Sequence, residues 1–385
     1  MFLIKLLFRN AFRHTLRTSL TILGITIAIL AFGLLRTVVS AWYAGVEASS
    51  ANRLITRNAI SLVFLLPSSY KDKIRQIEDV KTVSWGNWFG GIYIDEKNFF
   101  PNFAVDPKTY LDLYPEYLLT PEEKKGFFHD RKGCIVGRLT AQKYGWKIGD
   151  AVTLRGTIFP GNWEFIVRGI YRGRDKGTDE SQFFFNWEYL NESLKKTNPA
   201  HADQIGFFIL GIRSPEQAAE VASAIDRSFK NSITETLTET ERAFQMGFVS
   251  MTEAIVIAVQ LVSFVVIGII MAVVANTMAM SARERTGEYV VFKTLGFGSR
   301  HLAGLIFGES FVITMTGCAL GILATFPAAE AFGNAMSTFL PVFNVSTETI
   351  YYDLLAAVVV ATTAAIIPTV RIMHIRIAEG LRTIA

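Results

Sequence analysis

Five histidines, His14, His129, His201, His301 and His374, are the side chains best suited to hold a metal or pass a proton, and no two of them stand at a ligand spacing. The chain contains neither a His-Glu-x-x-His pair nor a Gly-x-Ser-x-Gly nucleophile turn, so zinc-assisted and serine hydrolysis lack their usual parts. The phosphate loop Gly-x-x-x-x-Gly-Lys-Ser/Thr is also absent, which excludes P-loop nucleotide hydrolysis by these residues. Asp175, Asp179 and Glu180 cluster in a glycine-containing loop, a pattern that solvated turns share. Cys134 and Cys318 are too few for a disulfide framework or a metal site and read as small buried residues. Chemistry thus points away from an enzyme. The residue that stands out is Glu309, a single acid inside a long apolar run.

That run is one of four. Half of the 385 residues are hydrophobic and only 19% are charged, fewer than in ordinary soluble domains. This composition excludes a disordered chain and a nucleic-acid-binding tail. A bilayer core needs about 20 mostly apolar residues per helix. Charge-free stretches cover 18–35, 254–282 and 354–370, and between Arg300 and Glu330 only Glu309 interrupts. We expect four spans, at 19–39, 254–280, 303–327 and 353–371. The first is read as a span and not a signal peptide, because its basic lead is long and its apolar run exceeds a signal core.

Orientation follows from lysine and arginine. Lys5, Arg9, Arg13 and Arg17 precede span 1; Arg283, Arg285, Lys293 and Arg300 lie in or beside the 281–301 loop; Arg371, Arg376 and Arg382 lie at the end of span 4 and beyond; the loop 328–352 has none and carries Glu330 and Glu348. The N-terminal stretch 1–18, the 281–301 loop and the tail 372–385 are therefore expected in the cytoplasm, and 40–250 and 328–352 outside.

Residues 40–250 have ordinary charge density, many aromatics, and strand-like runs between helical ones, and they predict a folded α+β domain. Strands are expected at 60–66, 80–85, 99–105, 134–137, 151–157, 163–171, 182–185 and 207–212. Helices are expected at 69–78, 138–144, 187–195 and 215–230. In the last, Ser214 is the expected cap, Pro215 the first helical residue and Gln217 the partner in a capping box, with Ala218, Val221, Ala222, Ile225 and Phe229 as the core stripe. Gly145 and Gly149 stand where the backbone needs positive φ. Trp85, Trp88, Phe89, Trp163 and Phe183 fit either an apolar groove or the core. Residues 234–252 are polar and proline-free, and predict a helical stalk of about 27 Å leading into span 2.

The start of the chain sharpens this. Phe8, Phe12 and Leu16 recur at i, i+4 and i+8, with Arg9, Arg13 and Arg17 one step round, and the amphipathic stretch feeds span 1. It resembles the opening of the FtsX-like/MacB-like permeases, the type VII ABC transporter permease subunits. Arg-Glu-Arg-Thr-Gly-Glu-Tyr-Val-Val-Phe-Lys-Thr-Leu-Gly at 283–296 is similar to that family's cytoplasmic coupling segment. Glu309 matches the acid that follows it. Pro368 and Ala-Glu-Gly-Leu-Arg at 378–382 resemble the closing motif, and 134–150 the strand–helix–turn of the MacB-like periplasmic core. Valine stands at 290 where the family usually has glycine, and isoleucine at 377 where it usually has proline.

The resemblance implies a permease of four transmembrane helices and an extracytoplasmic α+β domain in a bacterial inner membrane. It implies two permease copies, identical or paralogous, served by a separate cytoplasmic ABC ATPase that binds the ATP and magnesium; this chain itself would hold no cofactor and no nucleic acid. The ATPase-coupling residues would be Arg285, Gly287, Glu288, Tyr289, Phe292, Lys293, Leu295 and Gly296, with Tyr289, Phe292 and Leu295 forming the face that seats on the ATPase. Glu309 would snorkel or pair with an arginine of the loop. Gly304, Gly308, Gly317 and Gly321 offer small faces for helix packing, within one subunit or across a dimer. The cargo would be a lipid, lipoprotein, peptide or drug, passed to an adaptor or lipoprotein outside. The alternatives are a regulator that switches an extracytoplasmic cell-wall hydrolase, or a receptor without an ATPase.

Overall fold

A computed structural model describes residues 12–336, 340 and 342–373. The segment with Phe8 and Arg9, and the closing motif with Ile377, lie outside those residues. The chain divides into two bodies. One comprises Met1–Ala41, Glu253–Ala335 and Phe343–Ala385, and the other Trp42–Thr252 and Met336–Val342.

The first body is built from four long helices: span 1, Thr15–Ala48; span 2, Glu253–Glu284; span 3, Ser299–Met336; and span 4, Thr347–Met373. Apolar runs of this length become helices in lipid because only a helix satisfies every backbone N–H and C=O within one segment. With 27 to 38 residues each, they are about 40 to 57 Å long, more than a hydrocarbon core of about 30 Å requires.

Lipid gives apolar helices no reason to leave it for one another, so close fit and polar bonds must hold the bundle. Gly317 and Gly321 supply the fit. A Cβ on Gly317 would lie 2.7 Å from Ile25 side-chain atoms, and one on Gly321 2.7 Å from the Ile29 Cβ. These glycines therefore pack span 3 on span 1 of the same chain. Gly304 meets nothing within 4 Å, and Gly308 is half-buried. Thr26 Oγ1 donates to the Gly317 carbonyl at 3.3 Å, and Ser310 Oγ to the Ala361 carbonyl of span 4 at 2.9 Å. Span 2 turns Leu261, Phe264, Val265 and Ile269 outward.

In the second body one sheet runs through the domain. Its order is Thr236–Thr240, Arg53–Asn58, Phe207–Ile212, Val80–Trp88, Asn102–Val105, Phe183–Asn186, Gly133–Gly137, Gly161–Gly173, Ala151–Gly156 and Gly91–Ile92. Pairing along this path is antiparallel except between Asn102–Val105 and Phe183–Asn186, and between Gly133–Gly137 and Gly161–Gly173. Side chains alternate across a strand, and the run Phe183-Phe184-Phe185 uses this. Phe183 and Phe185 enter one core with Phe89, Phe165 and Trp163, while Phe184 enters another with Tyr110, Tyr117 and Tyr171. A strand apolar on both faces is what a sheet covered on both sides requires. Of the aromatics that fitted groove or core, Phe89, Trp163 and Phe183 are core, whereas Trp88 is exposed and stacks with Phe99.

Three local expectations are corrected. No strand forms over 60–65. The strand is Arg53–Asn58, after which Asn58 Oδ1 accepts from the Ile60 N–H at 2.9 Å and turns the chain, leaving Ile60, Val63 and Phe64 exposed. The stalk is not one helix. Thr236–Thr240 is an edge strand, as its β-branched threonines favour, and only Glu241–Met251 is helical, about 16 Å. Ser214 does not cap a helix; its hydroxyl bonds the Glu216 carboxylate, and a 3-10 turn, Pro215–Gln217, precedes the helix Ala218–Ser228. Its stripe is nonetheless buried at Ala218, Val221, Ile225 and Phe229. Gly145 and Gly149 have φ of 71° and 98°.

A buried ion network sits where the sheet meets the first turn of Glu241–Met251. Arg53 Nε donates to Glu241 Oε2 at 2.7 Å, its Nη2 lies 2.8 Å from Glu116 Oε1, and its Nη1 reaches the Leu113 carbonyl at 2.9 Å. Tyr114 donates to Glu241 Oε1 at 2.8 Å, and the Ser50 N–H to Oε2 at 2.8 Å. Burial works to lower the Arg53 pKa, but Glu241 above all overrides it and the guanidinium ends above its ordinary value.

Candidate coupling site at the charged end of the bundle

Between spans 2 and 3 the chain makes one short helix, Thr286–Thr294. Gly296 ends it. At φ 91° this residue is left-handed, its N–H bonds the Lys293 carbonyl at 3.1 Å, and the Phe297 N–H bonds the Phe292 carbonyl at 3.0 Å. Those two bonds and the Phe292–Phe297 ring contact at 5.5 Å make a Schellman cap. The cap turns the chain into span 3 and points Phe297 outward, 48% exposed.

Charge holds this helix to the bundle. Arg285, just before it, donates from Nη1 to Glu309 Oε2 of span 3 at 2.6 Å and from Nε to Glu288 Oε2 at 3.2 Å. Ser281 Oγ donates to Glu309 Oε1 at 3.2 Å, so both oxygens of the buried acid are satisfied. Glu288 in turn accepts from Arg13. Arg17 grips Glu284 at the end of span 2 with two parallel bonds of 2.7 Å, the fork geometry that suits arginine and carboxylate. On the far side, Lys293 Nζ donates to the Ile372 and Met373 carbonyls at 3.0 and 3.1 Å, closing the last turn of span 4.

The expected contact face is divided by this packing. Arg285 is buried, and Tyr289 sits in the bundle core with Ile306 and Leu302; burial pushes its hydroxyl up to about 12. Phe292 packs partly against the same core. Three-residue spacing puts 289 and 292 on the bundle side of a helix that lies along it, which leaves Tyr289 buried and Phe292 half-buried. Gly287, Glu288 and Lys293 are half-buried, and Leu295 and Gly296 are exposed. The outward apolar residues are Val291, Leu295 and Phe297. Val290 is buried. Sequence reasoning missed Val291 and Phe297. The glycine at 296 was the available signal, since a helix that stops there must present the next residue. It also missed the Arg13 and Arg17 partners, which no spacing rule connects to residues some 270 positions away.

The acids of the 175–180 loop have structural partners. Glu180 pairs with Arg138 at 2.5 Å, and Asp179 accepts from the Ser181 N–H at 2.7 Å and Gln182 Nε2 at 3.0 Å. Burial raises the Asp179 carboxyl above its ordinary range.

Four spans, a charged loop between two of them and a large α+β domain define a membrane-embedded permease. Residues 18–228 match the MacB-like periplasmic core domain and residues 260–377 the FtsX-like permease C-terminal domain. The chain therefore belongs to the FtsX-like/MacB-like family of ABC transporter permease subunits. It is 24% identical over 349 residues to the ABC transporter permease MJ1507 of Methanocaldococcus jannaschii, covering 85% of this chain and 84% of that one. Among solved structures it is similar to the extracellular domain of the noncanonic ABC-type transporter YknZ from Gram-positive bacteria, at 13% identity and a TM-score of 0.37, over 49% of this chain and 99% of that one.

Proposed function

We propose that this permease is a lever, driven by a separate cytoplasmic ABC ATPase that binds ATP and magnesium, and acting through its extracytoplasmic domain on a hydrophobic or amphiphilic cargo. Lipid, lipoprotein, peptide and drug all fit that chemistry. The supporting observation is that one short helix is tied to every span: through Glu288 to Arg13 just before span 1, through the chain itself to span 2, through Arg285 to Glu309 of span 3, and through Lys293 to the end of span 4. A push on Val291, Leu295 and Phe297 is thereby delivered to four helices at once. The ATPase seats on those three residues, and two copies of the permease, or this chain and a paralogue, share the ATPase pair. Both termini and this loop lie in the cytoplasm, and the α+β domain meets an adaptor or lipoprotein outside an inner membrane.

Purification of the tagged chain in mild detergent tests the reading. A P-loop ATPase should accompany it, and Leu295→Asp and Phe297→Asp should each release that partner while leaving the thermal midpoint unchanged. If no such protein accompanies the wild type, or both variants retain it in full, the lever has no motor at this site. A peptidoglycan hydrolase in the same complex would support the regulator in place of the transporter. Orientation is checked with Ser214→Cys and Ser299→Cys in spheroplasts, where only the first should react with an impermeant thiol reagent; both native cysteines are buried.

A further inference from the structure

A second buried acid lies at the opposite end of the bundle from the Arg285–Glu309 pair. Asp353 stands 20 residues before Met373 on span 4, about 30 Å along the helix. The residue is 1% exposed. Three spans converge on it. A Cβ added to Gly33 of span 1 would lie 3.2 Å from Asp353 Oδ2 and 3.1 Å from Oγ1 of Thr325 on span 3. The carboxyl thus occupies room that exists because residue 33 has no side chain.

Its polar surroundings are committed elsewhere. Among the described residues, Asp353 Oδ1 has no hydrogen-bond partner. The Thr325 hydroxyl donates to the Gly321 carbonyl at 2.9 Å, and the Cys318 thiol is directed at the backbone oxygen of Asp353 at 3.8 Å. Arg36 is one turn beyond Gly33 on span 1, yet its guanidinium lies over the Tyr352 ring at 4.5 Å and, among the described residues, its buried Nε has no partner. The remaining charged groups on the helices packed here, Glu47 of span 1, Glu253 of span 2, Glu330 of span 3 and Glu348 of span 4, are exposed. Glu309 makes the contrast plain, since Arg285 and Ser281 answer both of its oxygens.

An unanswered carboxylate in an apolar interior is costly, and the neutral acid avoids that cost. We propose that Asp353 is a proton-binding site, holding a proton on its carboxyl while spans 1, 3 and 4 are packed as seen. Loss of that proton to water leaves an anion, and Arg36 then exchanges Tyr352 for Asp353. The ligand is the proton alone, and the packing of this end of the bundle follows the pH on its side of the membrane. This reading stands independently of the ATPase seat.

Dicyclohexylcarbodiimide, an apolar reagent for protonated carboxyls, tests it on the full chain in phosphatidylcholine vesicles, with modified peptides quantified by mass spectrometry. At neutral pH, Asp353 should be modified at least about tenfold faster than Glu309, and its rate should fall as the pH is raised. Arg36→Gln removes the cation that the anion would use, so labelling should persist to higher pH. Asp353→Asn should lose the label on that peptide alone and keep the wild-type thermal midpoint. Labelling of Asp353 no faster than Glu309, a rate flat with pH, or an Arg36→Gln profile identical to wild type would overturn the proposal.

Discussion

Arg285 Nη1 lies 2.6 Å from Glu309 Oε2, with the two side chains only 6% and 7% exposed. One residue belongs to the loop and the other to a membrane helix, so the bond fixes the loop on span 3. Removing one partner from a buried pair leaves the other charge unanswered, at a cost of roughly 3–5 kcal/mol, whereas replacing both with apolar residues is often nearly neutral. Arg285→Met and Glu309→Met should each lower the thermal midpoint in detergent substantially, and the double variant should recover most of the loss. Additive losses would show that the pair is not coupled.

The glycines of span 3 should separate by position. At 317 and 321 a side chain must displace Ile25 or Ile29. Gly317→Leu and Gly321→Leu are expected to destabilise by roughly 1–3 kcal/mol, and Ile25→Ala should partly rescue Gly317→Ala. Gly304 has open space around it, so Gly304→Ala should be neutral or stabilising by up to about 1 kcal/mol. Thermal midpoints of the purified variants decide this.

Arg53 answers Glu241 and Glu116 and a backbone carbonyl at once. A planar guanidinium can serve three directions, but one ammonium cannot reproduce its fork. Arg53→Ala is expected to cost roughly 3–5 kcal/mol, and Arg53→Lys to recover less than half of that. Urea unfolding of the full chain, followed by tryptophan fluorescence, reads the loss; a lysine variant equal to wild type would remove the geometric argument.

Acid should loosen the loop helix late. Burial works to raise the Glu288 carboxyl from its ordinary value of 4.5, but its bonds to Arg13 and Arg285 prevail and hold it lower. A carboxyl depressed in the fold stabilises fully above its ordinary value and loses that contribution as pH falls through the depressed one. Hydrogen-exchange protection of 286–294 should hold from neutral pH down to about 4.5 and decline below it. Glu288→Gln should already show the reduced protection at neutral pH.

Several features were legible because they rest on local chemistry. Apolar length set the number of spans, and helical residues at 138–144 with Gly145 behind them fixed one turn of the outer domain. The charged loop between spans 2 and 3 was placed by its sequence, but its outward face was not. Tyr289 and Leu295 look equivalent along a helix until neighbouring spans bury one and leave the other bare. Arg53–Asn58 is absent from the expected strands; its two arginines are answered by Glu241 and Glu239 from across the chain.

Sequence by itself determined that this polypeptide crosses a membrane, carries a large folded domain, and has no phosphate loop of its own. Those properties follow from counts, periods and motifs within a few turns of chain. The tertiary structure decided which acids are answered, with Glu309 paired and Asp353 left with an unpartnered oxygen, and which glycines are contacts. Such outcomes depend on distances of a few ångströms between residues hundreds of positions apart, and charge and hydrogen bonding change steeply over that range.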